Sequence, residues 1–163
     1  MFRQIRITQY GKKFRIYKFR TMIPDAEAAG SQVTAKNDMR VTGAGKFLRK
    51  YRFDEIPQLL NVIAGDMSFV GTRPEVVKYV GHYTDEMTAT LLLPAGITSE
   101  ASILYKDEEK LLSDAENTDA VYIEKILPQK MKYNLDAIEQ FGFFSDIKTM
   151  LRTVAAVVKK NEN

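Results

Sequence analysis

Two adjacent carboxylates, Asp54 and Glu55, are the residues of this sequence best placed to do chemistry. Pro57 follows them, and proline is favoured in the first helical turn, where backbone N–H groups have no intrahelical acceptor. The pattern predicts a helix that starts at Asp54, with Asp54 as its N-cap, and ends at Gly65. Successive side chains on a helix point about 100° apart, so both carboxylates can reach one pocket.

The start of a helix also attracts anions, because its free N–H groups and positive dipole end face outward. A phosphate could approach there while a carboxylate attacks it or binds Mg²⁺. Cations that match phosphate lie nearby in the sequence, with Arg49 and Arg52 before the pair and Arg73 after it, and with Lys18 and Arg20 at the end of a predicted strand. The alternative is structural: a capping aspartate, a glutamate that matches the helix dipole, and solvated surface cations.

The composition excludes several other chemistries. The chain has 163 residues, 45% of them hydrophobic and 28% charged, which predicts one globular domain over residues 1–163. It has no cysteine and one histidine, which rules out disulfides, thiolate catalysis and multi-histidine metal sites. The glycines near Lys46 lack the spacing of a nucleotide-binding loop. The longest uncharged stretch, Met87–Ser99, is too short to span a membrane, so the sequence predicts a cytoplasmic domain.

The charge is distributed unevenly along the chain. Residues 1–53 contain 13 Lys and Arg but only 3 Asp and Glu, whereas residues 54–163 contain 11 and 18. The first twenty residues carry no acidic side chain. Such a basic segment favours phosphate-rich partners, namely nucleotides, nucleic acid or an anionic membrane surface. A basic, solvated strand pair is the alternative explanation.

Hydrophobic periodicity predicts an α+β fold, a single helix-rich domain with a small sheet near the N-terminus. Two strands, Phe2–Ile7 and Phe14–Phe19, should form a hairpin, and residues 24–43 should contain a helix fragment and a polar loop. A short basic helix should follow at Gly45–Tyr51, a strand at Met67–Val70 and one long helix at Val76–Leu91. Three more helices are predicted at residues 120–127, 128–141 and 144–158. Seven apolar side chains of the helices on either side of Arg52 are expected to face inward: Phe47, Leu48, Tyr51, Leu59, Leu60, Val62 and Ile63.

Five ordered segments resemble the bacterial sugar transferase family, the monotopic phosphoglycosyl transferases. They are KFRTM at 18–22, DMRVT at 38–42, KFLRK at 46–50, DEIPQLLNV at 54–62 and GDMSFVGTRP at 65–74. Residues 94–98 and 126–128 are also similar to the C-terminal half of that family. The resemblance extends over residues 2–153, and five motifs in one order make a chance match improbable.

The resemblance implies an enzyme at the cytoplasmic face of the bacterial inner membrane. Such an enzyme transfers a sugar-1-phosphate from a UDP-sugar to polyprenyl phosphate and initiates glycoconjugate or polysaccharide assembly. The family's nucleophile falls on Asp54, which would form a covalent phosphosugar, and its neighbour Glu55 resembles the Mg²⁺ ligand. Arg49 and Arg73 resemble phosphate or nucleotide ligands, and we expect them, with the helix N-terminus, to favour the ionised form of Asp54. The resemblance implies further polar or phosphate-binding roles for Lys18, Arg20, Asp38, Arg40, Gln58 and Pro74.

Two features depart from the family pattern. The family carries an N-terminal hydrophobic helix ahead of the first strand, whereas this sequence starts inside that strand, which indicates a truncated or soluble form. Only weak, salt-reversible binding to anionic membranes is therefore expected. Thr72 stands where the family more often has proline. Threonine permits the same turn with less rigidity, so this difference should have only a small effect.

Two alternatives to the enzyme stay open at this point. One is a basic module that binds phosphate or nucleic acid, although adjacent carboxylates would sit poorly against a phosphate backbone, so nucleic acid is not the expected partner. The other is an inactive partner subunit of a membrane enzyme.

Overall fold

The fold is helix-rich and carries a β-hairpin at its N-terminus, which confirms the α+β prediction. The structure is a computed structural model, and it describes residues 1–26, 33–34, 38–112, 115 and 117–160. The helix fragment and loop predicted over residues 24–43 fall partly outside the described residues. Within the described part, Met22 and Val41 form an isolated β-bridge that closes the base of this segment.

The hairpin consists of β1 (Phe2–Ile7) and β2 (Lys13–Lys18), which pair antiparallel with Phe2 opposite Lys18. The alternation of apolar and basic residues places Phe14 and Ile16 in the core and leaves Lys13 and Arg15 exposed. Strand β2 ends one residue earlier than predicted. The Phe19 amide instead donates to the carbonyl of Asp54 at 3.0 Å, which ties the end of the hairpin to the next segment.

Helix α1 (Gly43–Lys50) begins at Thr42, whose hydroxyl accepts a hydrogen bond from the Gly45 amide at 3.0 Å. The prediction that Phe47 faces inward is wrong, since its side chain is 58% exposed. Phe47 instead packs against Tyr51, with ring centroids 5.1 Å apart, and against Phe53 at the surface.

The helix predicted to start at Asp54 is divided into a 3-10 helix, Phe53–Gln58, and helix α2 (Leu59–Ile63). Asp54 is not the N-cap, because Arg52 occupies that position in a left-handed conformation with φ of 58°. The expectation that Leu59, Leu60 and Ile63 are buried is also wrong, since each is exposed. The buried residue is the polar one between them, Asn61.

Asn61 explains this inversion. Its side-chain oxygen accepts a hydrogen bond from the Tyr17 amide at 3.0 Å, and its side-chain nitrogen donates to the Arg15 carbonyl at 2.9 Å. The amide therefore pairs with the open edge of β2 much as a neighbouring strand would. Satisfying these buried backbone groups fixes α2 with Asn61 inward and its leucines outward.

Strand β3 (Ser68–Val70) pairs in parallel with β4 (Gly96–Thr98). The single helix predicted over Val76–Leu91 is instead two short helices, α3 (Val77–Val80) and α4 (Asp85–Thr88), followed by a 3-10 turn. Helix α3 ends at Gly81. Helix α4 then begins at Thr84, whose hydroxyl accepts a hydrogen bond from the Met87 amide at 3.3 Å.

The C-terminal half is helical throughout most of its described length. After α5 (Glu100–Leu104), α6 (Glu108–Leu111) and α7 (Thr118–Val121), a π-helical turn at Tyr122–Ile126 leads into α8 (Leu127–Glu139), and α9 (Phe143–Lys160) ends the chain's described part. The main hydrophobic core joins α3 to α8 and comprises Val76, Tyr79, Leu112, Tyr122, Ile126, Leu127 and Met131. None of the helices within the described residues is long and apolar enough to cross a membrane.

Candidate active site

The Asp54–Glu55 pair lies in the first turn of the 3-10 helix, directly below the end of β2. The left-handed backbone at Arg52 turns the chain sharply after α1, and the bond from Phe19 to the Asp54 carbonyl fixes that turn against the hairpin. This arrangement brings Lys18, the last residue of β2, next to Glu55.

Three cations surround the carboxylate of Glu55. Lys18 Nζ donates to Oε1 at 3.1 Å, and the Arg73 guanidinium is bidentate, pairing with Oε1 and donating to Oε2 at 3.3 Å. Arg52 Nη1 lies 3.8 Å from Oε2. Burial disfavours the charged carboxylate, but Arg73 and Lys18 outweigh that penalty and hold the pKa of Glu55 well below its ordinary value.

Asp54 behaves differently from its neighbour. It is buried, with 8% of its surface exposed. Burial, together with the negative charge of Glu55, raises its pKa above the ordinary value in spite of Lys18, Arg73 and Arg49. Arg49 and Arg73 do favour its charged form, as expected, but burial and the charge of Glu55 outweigh them, so the expected net effect on its pKa is corrected. A raised pKa makes the ionised carboxylate more basic and a stronger nucleophile.

Lys18 is itself affected by this environment. Burial lowers the pKa of its ammonium to about 8, against the attraction of Glu55. The cation is thus present at neutral pH, where it can bind an anion in the site.

The turn before Arg73 packs closely against the backbone of residues 94–96. Gly71 has φ of 157°, and a Cβ there would lie 2.5 Å from the Pro94 carbonyl oxygen, so only glycine fits this close approach. Pro74 is buried behind the turn, where its carbonyl accepts a hydrogen bond from Arg6 Nη1 at 3.1 Å. Pro74, predicted as a phosphate-binding residue, does not line the cleft.

A cleft of about 940 Å³ opens above the carboxylate pair. Its walls include all six of the cations selected from the sequence: Lys18, Arg20, Arg40, Arg49, Arg52 and Arg73. Arg49 is held toward it by a hydrogen bond from Nε to the Thr21 hydroxyl at 3.0 Å. Arg40 is neutralised by Asp38, to which it donates at 2.9 and 2.6 Å, and this contact lowers the pKa of Asp38.

Gln58, like Pro74, is a predicted site residue that the structure places outside the cleft. It is 1% exposed and lies outside the walls of the cleft. Its side-chain nitrogen has no hydrogen-bond partner among the described residues. Gln58 is therefore a buried residue at the end of the 3-10 helix and does not reach the cleft where a phosphate would bind.

Sequence reasoning missed a buried polar network on the far wall of the cleft. Glu75 accepts a hydrogen bond from the Tyr122 hydroxyl, and Lys130 Nζ donates to the same hydroxyl at 3.0 Å and to Glu108 at 2.9 Å. The signal was present in α8: Lys130 lies between Leu127 and Met131 on the buried side of that helix, a position that usually holds an apolar residue.

The residues present fit Mg²⁺ only together with a phosphate ligand. Among the residues that the structure describes, no three His, Cys, Asp or Glu side chains cluster as a metal site. Mg²⁺, however, prefers hard oxygen ligands and is commonly bound by one or two carboxylates plus substrate phosphates. Asp54 and Glu55 supply that donor set.

Comparison with known proteins identifies the class to which this site belongs. The family model for "Bacterial sugar transferase" matches residues 1–160. The chain therefore belongs to the bacterial sugar transferase family.

Several named relatives are similar over almost the whole chain. One relative, from Aeromonas hydrophila, is 32% identical over 97% of this chain. It is named UDP-N-acetylgalactosamine-undecaprenyl-phosphate N-acetylgalactosaminephosphotransferase. A UDP-glucose:undecaprenyl-phosphate glucose-1-phosphate transferase of Escherichia coli K12 is 33% identical over 94%. The uncharacterized sugar transferase EpsL of Bacillus subtilis is 34% identical over 96%. The chain spans 35% of the Aeromonas protein, 32% of the E. coli protein and 69% of EpsL.

Proposed function

We propose that this protein transfers a sugar-1-phosphate from a UDP-sugar to polyprenyl phosphate in two steps, with Asp54 as the nucleophile. The observation that carries the proposal is the pairing of Glu55 with Lys18 and Arg73 beside Asp54, at the floor of a cation-lined cleft. The names of the relatives support the substrate classes. This arrangement favours an enzyme over a nucleic-acid-binding module, because two carboxylates in the wall of the cleft would sit poorly against a continuous phosphate backbone.

In the first step, an ionised oxygen of Asp54 attacks the phosphorus that carries the sugar. A new P–O bond forms to the carboxylate, the bond to the α-phosphate breaks, and UMP leaves with the electron pair. Arg49, Arg73 and Lys18 bind the diphosphate and offset the negative charge that would otherwise repel the carboxylate. Glu55 acts as a positioning residue, because it fixes Lys18 and Arg73 beside the nucleophile.

In the second step, a phosphate oxygen of the polyprenyl phosphate attacks the same phosphorus. The acyl-phosphate bond breaks, Asp54 recovers its carboxylate, and the product is a polyprenyl-diphosphate sugar. Neither step gains or releases a proton when the Asp54 carboxylate is ionised and the acceptor phosphate is a dianion. Dividing the transfer lets a water-soluble donor and a lipid acceptor use the site one after the other.

Glu55, with Asp54 beside it, is the residue that we propose to hold Mg²⁺ once a diphosphate is present. When bound there, the ion would neutralise charge on the phosphate oxygens. Glu55 would then give up part of its pairing with Arg52 or Arg73 and contact the metal instead. This exchange is favourable because the substrate phosphate becomes the new anionic partner of the arginine.

An anionic membrane surface is the proposed partner of the outer face of the site. The exposed residues Ile56, Leu59, Leu60 and Ile63 follow the spacing of one helical face. An apolar face of this kind beside basic residues binds at the lipid headgroup boundary. This location would bring the site close to its lipid acceptor.

The nucleophile is tested in the absence of acceptor. With Mg²⁺ and a panel of UDP-sugars that includes UDP-glucose and UDP-N-acetylgalactosamine, the protein should release at most about one UMP per molecule. Its intact mass should rise by one sugar phosphate, which hydroxylamine should remove. Asp54→Asn should release none, while Asp85→Asn, on the exposed start of α4, should match the wild type. Near-normal UMP release by Asp54→Asn would overturn the assignment.

A further inference from the structure

A second cavity adjoins the cleft and has the opposite character. It has a volume of about 280 Å³ and lies between the 3-10 helix, the β3–β4 pair and α9. Its walls are mainly apolar and include Ile56, Leu59, Phe69, Ile97, Ala156 and Val157. None of the steps assigned to Asp54 and the UDP-sugar requires this cavity.

Helix α9 closes the cavity and is fixed in place by polar contacts. The Thr153 and Thr98 hydroxyls lie 2.8 Å apart, which joins α9 to β4. Arg152 Nη1 pairs with Glu100 at 2.6 Å, which joins the same helix to α5. The wall that α9 contributes is therefore fixed by contacts with β4 and α5, and the cavity is a defined part of the fold.

The two cavities meet at Glu55, next to Asp54, which lines only the cleft. Arg52 and Glu55 line both of them, and so do Lys50 and Lys106. The apolar cavity thus opens through a cationic rim onto the place where the phosphosugar would be attached. A ligand that fits this arrangement has an anionic head at the rim and a hydrocarbon chain behind it.

We propose that this cavity binds the first isoprene units of the polyprenyl phosphate acceptor, with the acceptor phosphate at the Lys50, Arg52 and Lys106 rim. The inference rests on the proposed function, because it assigns the second substrate of the same site. Burial of the prenyl carbons supplies affinity, and the rim orients the attacking phosphate. The rest of the lipid can leave along the outer side of α9, where Leu151, Val154 and Val158 are exposed.

The test uses farnesyl phosphate that carries a photoreactive diazirine on its chain, added to the 163-residue protein in detergent micelles. We expect label on residues of β4 and α9 that line the cavity, mapped by peptide mass spectrometry. Unlabelled farnesyl phosphate should compete, whereas farnesol and inorganic phosphate should each compete more weakly, because each offers only half of the ligand.

Two neighbouring alanines of α9 provide a matched pair of variants. Ala156 lines the cavity, while Ala155 is exposed and lies outside its walls. Ala156→Phe should fill the cavity and reduce labelling by about tenfold or more, and Ala155→Phe should leave it unchanged. Circular dichroism confirms that each variant is folded, and the competition experiment on the wild type tests the proposal without any substitution.

Label elsewhere on the surface, labelling unaffected by Ala156→Phe in folded protein, or equal competition by farnesol would each overturn the proposal. UMP release by the wild type is measured separately and without lipid. Cavity labelling without UMP release would count against the proposed function alone. UMP release without cavity labelling would count against this inference alone.

Discussion

Lys18 and Glu55 lie 37 positions apart in the chain, yet the Lys18 ammonium donates a 3.1 Å hydrogen bond to Glu55 Oε1. Their side chains are only 17% and 10% exposed. The contact joins the end of the hairpin to the segment that carries Asp54. The candidate nucleophile is consequently positioned by the folding of β2 as much as by its own 3-10 helix.

Glu55→Gln should destabilise the metal-free protein at pH 7 by about 3 kcal/mol, because Lys18 and Arg73 lose their buried counter-charge. The pKa of Glu55 is held well below its ordinary value. Its stabilisation is therefore complete above the unfolded-state pKa of about 4.5 and is lost as the pH falls through the folded-state pKa. The difference in unfolding free energy between wild type and variant should shrink from pH 7 to pH 3, as measured by urea denaturation in EDTA. Glu86→Gln, on the exposed side of α4, is the control, and a pH-independent difference would contradict this explanation.

Removal of Mg²⁺ should stop UMP release, because two carboxylates and a diphosphate require a divalent cation to approach one another. EDTA should abolish the reaction, and added Mg²⁺ should restore it. Glu55→Gln should raise the Mg²⁺ concentration needed for half-maximal release, whereas Glu86→Gln should not. Full activity of the wild type in EDTA would rule out the metal assignment.

Lys130→Met should destabilise the protein by about 3 kcal/mol, since Glu75 and Glu108 would lose a buried cation. Lys132→Met on the same helix is the matched control, because Lys132 is exposed and should change stability by less than about 0.5 kcal/mol. Denaturant unfolding at neutral pH measures both variants. Equal stability of the two would show that the network contributes little.

The exposed face of α2 changes the membrane expectation drawn from sequence. Basic residues alone predict binding that salt reverses, but an apolar face predicts a component that persists at about 1 M salt, where the Debye length is about 3 Å. Leu60→Glu and Ile63→Glu should remove that component in sedimentation with anionic phospholipid vesicles. Leu111→Glu, exposed on α6, should not. Binding that disappears entirely at high salt in the wild type would show that α2 does not insert.

The sequence by itself determined the hairpin, the fold class and the family. Alternation in β2 predicts Phe14 and Ile16 as its buried residues, and the ordered motifs around Asp54 and Arg73 identify the bacterial sugar transferases. These are local patterns, or patterns of residue type, and they do not require knowledge of which distant residues meet.

Only the tertiary structure decided how those residues are arranged. The pattern Ile56, Leu59, Leu60 and Ile63 is typical of a buried helical face, but Asn61 satisfies the edge of β2 and turns that face outward. The pKa of Asp54 is raised because burial outweighs the effect of the nearby cations. The sequence predicts those cations but does not show how deeply Asp54 is buried. Long-range hydrogen bonds and desolvation depend on which groups share a small volume, and linear spacing does not record that.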